Sequence, residues 1–173
     1  MSDEERENII ERAISTEGRS LENESLEVRN DRDLIMEILR RTFDRGKKVY
    51  LTYIGNDLKD DEELFILAIK IEADNMQFAS RNLKNDKDTC IATMKENYNM
   101  LTGFEGDEIR NDYDFMAKLV REYNWENVKY ASEKLRNDED FMRNALRQSS
   151  KAKDYIGDRL RQNESFMNDV EKY

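Results

Sequence analysis

The sequence predicts an all-α protein, a solenoid of about six to seven stacked helical-hairpin repeats of roughly 25 residues. Three observations predict it. A short phrase, aliphatic–base–Asn/Asp–Asp, recurs along the chain. Apolar residues follow each copy at the spacing of one helix face. No proline, Ser/Gly-rich linker or composition break divides the 173 residues, so residues 1–173 read as a single repeat domain.

In chain order, residues 3–27 form a degenerate unit. Units then start near residues 28, 58, 83, 109 and 135, at Val28-Arg29-Asn30-Asp31, Leu58-Lys59-Asp60-Asp61, Leu83-Lys84-Asn85-Asp86, Ile109-Arg110-Asn111-Asp112 and Leu135-Arg136-Asn137-Asp138. A half-unit over residues 160–173 opens with Leu160-Arg161-Gln162-Asn163. The aspartates Asp31, Asp61, Asp86, Asp112 and Asp138 are spaced 30, 25, 26 and 26 residues apart, and Asn163 follows 25 later. The first full unit is therefore long, with the insertion expected at Asp44-Arg45-Gly46-Lys47-Lys48. The stretch Gly103-Phe104-Glu105-Gly106 makes the third unit irregular.

Each unit reads as two short helices. The Asn or Asp of the phrase, with an acid three residues on, has the form of a capping box, and the following Asp is the other candidate cap. Positions +3, +4, +7 and +8 from that second residue are apolar, as in Phe115, Met116, Leu119 and Val120. The second helix carries an aromatic (Tyr53, Phe78, Phe104, Tyr130, Tyr155), expected to fill the seam between units. Two residues later stands a small residue (Gly55, Ser80, Gly106, Ser132, Gly157), expected to let the next backbone approach. A unit of this size cannot bury its apolar face alone, so neighbours must stack.

Composition excludes several chemistries. There is no histidine, hence no Ser-His-Asp triad and no His-ligated metal; one cysteine excludes an internal disulfide. No Gly-rich phosphate loop is present. Bases number 29 and acids 39, for a net charge of −10. Residues 1–58 carry −4, residues 59–108 carry −6, and residues 109–173 are neutral. Both signs interleave and the apolar spacing is regular, which opposes disorder despite 39% charged residues. The acidity disfavours direct nucleic-acid and membrane binding and favours a protein partner with a basic surface. No apolar window is long enough to span a membrane and the acidic N-terminus lacks a signal's apolar region, so a cytoplasmic location is expected.

The run Lys129-Tyr130-Ala131-Ser132-Glu133-Lys134-Leu135-Arg136-Asn137-Asp138, with weaker copies over about residues 28–170, resembles the repeats of the family known as domain of unknown function 4116. The resemblance implies an α-helical repeat fold and no activity.

The repeated aspartates are expected to finish helix starts rather than bind metal, and the run Asp57–Glu63 to be a cap and a solvated turn. Cys90 aligns with the core positions Phe65, Met116 and Met142 and is expected to be buried. Met36, Met116, Met142 and Met167 share its face. Arg143, Arg147 and Lys151 share a second, solvated face. The aromatics at inter-helix junctions, Tyr98, Tyr123 and Trp125, and the acids Glu62 and Asp74 are the partner-binding candidates. No catalytic residue, metal ligand or cofactor is expected. The expected function is a non-enzymatic protein–protein interaction module. The alternatives are an acidic phage- or mobile-element-type inhibitor of a nucleic-acid-binding protein and, third, a carboxylate-dependent hydrolase.

Overall fold

The computed structural model describes residues 1–96, 104 and 106–173. The described residues are helical with no strand among them, and they form two compact units, Met1–Phe104 and Glu105–Tyr173. No described helix is long and apolar enough to cross a membrane.

The first unit contains α1 (Asp3–Ser15), α2 (Leu26–Arg29), α3 (Arg32–Asp44), α4 (Glu62–Ile71), α5 (Arg81–Asn85) and α6 (Lys87–Glu96). α1 begins with a full capping box, Ser2 with Glu5. The longer helices pack side by side in the order α1, α3, α4, α6. They do so through the expected apolar face: Leu34, Ile35, Ile38 and Leu39 on α3, and Leu64, Phe65, Ala68 and Ile69 on α4, are all buried. Each large side chain removed from water in this way is worth about 1.5–3 kcal/mol.

The second unit contains α7 (Asp107–Asn111), α8 (Tyr113–Lys118), α9 (Glu133–Arg136), α10 (Glu139–Gln148), α11 (Asp158–Arg161) and α12 (Glu164–Val170). Phe115, Met116, Leu119 and Val120, and Phe141, Met142, Ala145 and Leu146, are buried. Cys90 and Met36 are buried in the first unit, while Met167 of the second is half-buried.

The caps are the aspartates of the phrase, not the preceding Asn or Asp. The side chains of Asp31, Asp61, Asp86, Asp112, Asp138 and Asn163 accept the N–H of Leu34, Leu64, Thr89, Phe115, Phe141 and Phe166 at 2.7–3.1 Å. The residue before the cap ends the preceding short helix, as Asn30 and Asn137 do.

In three of the repeats the second helix is broken in two. A 3-10 stretch (Ala73–Phe78, Trp125–Tyr130 or Ser150–Tyr155) precedes a single α turn (α5, α9 or α11). The break falls at the small residue: Ser80, Ser132 and Gly157 have extended backbone because they are themselves the N-caps of the short helix. The aromatics therefore do not fill the seam. Tyr53, Phe78, Tyr130 and Tyr155 are half-buried, and the next residue, Ile54, Ala79, Ala131 or Ile156, turns inward instead; Phe104 is buried as expected.

One recurring bond ties the end of a repeat, just before the next phrase, back to the phrase that opens it. The N–H of the small residue donates to the carbonyl of the base in the preceding phrase: Gly55 to Arg29 (2.8 Å), Ser80 to Lys59 (2.7 Å), Ser132 to Arg110 (2.9 Å) and Gly157 to Arg136 (2.8 Å).

Spacing irregularities have structural counterparts. The 26-residue repeat beginning at Asp112 carries its extra residue as a π-helical turn, Leu119–Tyr123, closed by the Asn124 N–H on the Leu119 carbonyl. The 25-residue repeats close on the fourth residue back, Glu72 on Ala68 and Ser149 on Ala145. In the long first repeat α3 extends to Asp44, turns at Gly46 and continues irregularly to Gly55. Asn75 holds that segment: its Oδ1 accepts the Leu51 N–H (2.8 Å) and its Nδ2 donates to the carbonyls of Val49 (2.9 Å) and Ala68 (3.0 Å).

Candidate partner-binding surfaces

Among the described residues, three concave surfaces lie where helix starts and the inserted segment meet solvent. In the first unit, a groove of about 290 Å³ separates the start of α4 from α5 and α6. Asp60, Glu62, Asp86 and Asp88 line it, and no base does. The second unit has the corresponding groove between the start of α10 and α11–α12. It has a volume of about 570 Å³ and is lined by Asp138, Glu139 and Asp140, with Arg159 and Asn163 opposite.

At two junctions the side chain just after a cap reaches the next cap, and its charge sets the character of the junction. Arg32 on α3 reaches Asp61, the cap of α4, at 2.6 Å and Glu63 at 2.6 Å. Burial pushes the Asp61 carboxyl up, but the Arg32 guanidinium and the Leu64 N–H outweigh it and hold it below the usual aspartate value. Between α10 and α12 the polarity is matched another way, with the Asn163 Nδ2 donating to Glu139 at 3.0 Å. Between α4 and α6 the residues at the corresponding positions, Glu62 and Asp86, are both acids and line one groove. The Asp86 carboxyl is held below its ordinary value by the Thr89 hydroxyl and N–H rather than by any base.

The third surface is an aromatic cleft of about 360 Å³ in the first unit, formed by Glu17, Arg19, Tyr50, Thr52, Tyr53 and Phe78. The insertion builds it. The Tyr50 N–H donates to the Glu17 carbonyl at 3.1 Å, tying the inserted segment to the turn after α1. Gly18 is required beneath it, since a Cβ there would collide with the Tyr50 carbonyl.

The expected site residues do not converge. Glu62 lies in the acidic groove. Asp74 is exposed at the start of the 3-10 stretch Ala73–Phe78. Tyr123 and Trp125 are neighbours, half-buried on either side of Asn124, at the end of the π turn. Tyr98 lies outside the described residues. Sequence reasoning missed Glu17, Arg19, Tyr50 and Thr52, and cast Tyr53 and Phe78 as packing residues. The insertion was the signal that pointed there. Arg143 is not a solvated base: it bridges α10 to α12 through Asp169 (3.1 Å) and lies 5.1 Å from the centre of the Phe166 ring. The Cys90 thiol is pushed up to about 12 by burial, which removes it as a nucleophile. Among the described residues no group of three acids or thiols is placed to hold a metal ion.

Residues 112–161 match the family model described as Domain of unknown function (DUF4116), a segment that contains the phrase Leu135-Arg136-Asn137-Asp138. No curated protein and no solved structure matches the chain.

Proposed function

We propose that this chain is a helical-repeat protein-binding module with no catalytic role, and that its partner presents a basic surface. The recurring N–H to carbonyl bond from the end of a repeat back to its phrase supports a solenoid of about six to seven stacked units of roughly 25 residues. The observation that carries the reading is the Glu62–Asp86 junction. The same position is filled by an Arg–Asp pair one repeat earlier and by a Glu–Asn pair in the second unit. Acids gathered in one groove with no base in its lining repel one another, and an incoming Lys or Arg would relieve that repulsion. The cap aspartates are each engaged by a backbone N–H, which leaves them poorly suited to catalysis.

The test is capture of partners from the native host, followed by a salt titration of the recovered complex. Affinity is expected to fall at least about tenfold between 50 and 300 mM salt, and further in a Glu62→Lys variant. Binding indifferent to salt and to Glu62→Lys would refute the reading. The acidic groove also favours a second reading, an inhibitor that occupies the nucleic-acid groove of its target. That reading requires DNA or RNA to compete with the chain for its partner, and simultaneous binding would eliminate it.

A further inference from the structure

The aromatic cleft has chemistry that the acidic groove lacks, and from it we infer that Tyr50, Tyr53, Phe78 and Glu17 receive an arginine side chain of the partner. The guanidinium lies on the aromatic rings and faces the Glu17 carboxylate. This deepens the proposed function and rests on the partner being a basic protein.

The backbone at Glu17 is the first support. α1 and α3 end in the same way, with paired bonds that need a left-handed residue just past the helix. After α3 the Gly46 N–H bonds the Phe43 carbonyl (3.0 Å) and the Lys47 N–H that of Thr42 (3.0 Å), and the left-handed residue is glycine, at φ 59°. After α1 the Glu17 N–H bonds the Ile14 carbonyl (3.5 Å) and the Gly18 N–H that of Ala13 (2.8 Å), but the left-handed residue is Glu17, at φ 55°. A carboxylate stands where glycine would be favoured on local grounds, on the wall of a cleft.

Charge is the second support. Glu17 makes no ion pair within 4 Å among the described residues; Lys48 lies near enough to feel its charge but is bonded to Glu72 at 2.6 Å. Residues 1–58 carry −4. Arginine fits better than lysine because its planar cation stacks on rings while donating to a carboxylate. Arg19, on the same wall, hydrogen-bonds the Thr16 carbonyl at 3.2 Å through Nε and leaves a positive charge that opposes the ligand.

The experiment titrates fluorescent eight-residue peptides of alternating Arg–Gly, Lys–Gly and Leu–Gly into the full chain at low salt. The Arg–Gly peptide is expected to bind several-fold more tightly than Lys–Gly, and Leu–Gly not at all. Tyr53→Ala should weaken Arg–Gly binding about tenfold. Arg19→Glu should strengthen it. Glu17→Gly should weaken it while raising the melting temperature by about 2–4 °C, so that loss of binding cannot be loss of fold. A more stable Glu17→Gly chain with unchanged affinity, preference for Leu–Gly, or no peptide binding would overturn the inference. Binding lost only in Glu62→Lys would overturn it too, leaving the acidic-groove reading intact.

Discussion

Asn137 caps the first turn of the following short helix from across the repeat boundary, and Gly157 is small because of it. The Asn137 Oδ1 accepts the Leu160 N–H at 3.0 Å, and a Cβ on Gly157 would collide with that carboxamide. Asn30 and Gly55 repeat the arrangement with the Asp57 N–H at 3.3 Å. Where the cap is Ser80 or Ser132, its own hydroxyl accepts the N–H, from Leu83 (3.0 Å) or Leu135 (3.3 Å). One orphan donor thus has two solutions, a serine three residues before it or an asparagine from the preceding phrase.

Substituting the glycine should therefore be costlier than substituting the serine. Gly157→Ala is expected to destabilise the chain by about 1–3 kcal/mol through overpacking, and Ser132→Gly by a few tenths. Asn137→Ala should cost about 1 kcal/mol for the lost cap and should open the space that Gly157→Ala needs. The double variant is then less destabilised than the sum of the two singles. Urea unfolding of the four chains measures this, and strict additivity would show that the two residues do not touch in solution.

The cap aspartates give a second prediction. Asn163 does at α12 what Asp138 does at α10, with the same acceptor on the same kind of N–H. Asp138→Asn is expected to change stability by no more than about 0.5 kcal/mol, and Asp138→Ala to cost about 1 kcal/mol. A carboxylate acting on a substrate or an ion would not tolerate the amide, so thermal melts together with partner binding separate the two roles.

Much of this was legible because the repeat states it several times. The buried quartets from Asp61, Asp112 and Asp138 follow from spacing alone, and the extra residue after Asp112 announces an irregularity that takes the form of the π turn. Three features were less accessible. Whether Asn137 or Asp138 caps α10 depends on backbone dihedrals one residue apart, which side-chain chemistry does not distinguish. Phe78 and Tyr130 sit in 3-10 stretches with three residues per turn, so a helix of 3.6 residues per turn assigns them the wrong face. The cleft at Tyr50 depends on an insertion meeting the turn at Glu17, a contact between parts of the chain that share no repeat position.

Asn75 and Asn127 occupy the same place in their repeats, and both are buried, at 0% and 2% exposure. Among the described residues Asn75 makes three hydrogen bonds and Asn127 one, to the Leu119 carbonyl at 3.3 Å. Asn75→Ala strands the Leu51 N–H and the Val49 carbonyl and frees the inserted segment. It is expected to cost about 3 kcal/mol, against about 1 kcal/mol for Asn127→Ala. Ala152 already fills this position in the last repeat, which shows that the amide is dispensable where no insertion needs holding. Equal losses for the two variants would mean that Asn75 acts by packing alone. Asn75→Ala should also raise hydrogen exchange at Leu51 more than at the backbone of α4.

The response to pH follows from which carboxylates are held low. Among the described residues these include Glu11 by Arg45, Asp86 by Thr89, Asp169 by Lys172 and Arg143, and Asp61 by Arg32 and Leu64 against its own burial. A carboxyl whose folded value lies below its unfolded one contributes stability that is complete above the unfolded value. That stability is lost as pH falls through the folded value. The chain has no histidine, the side chain whose ordinary value lies in the neutral range. The melting temperature is therefore expected to be flat over that range and to fall once the pH drops below about 4. Asp61→Asn should flatten part of the acid limb, because it removes the carboxylate that Arg32 binds while keeping the acceptor for the Leu64 N–H. An unchanged acid limb in that variant would show that the Arg32–Asp61 pair is fully screened in solution and that the remaining carboxylates carry the whole response.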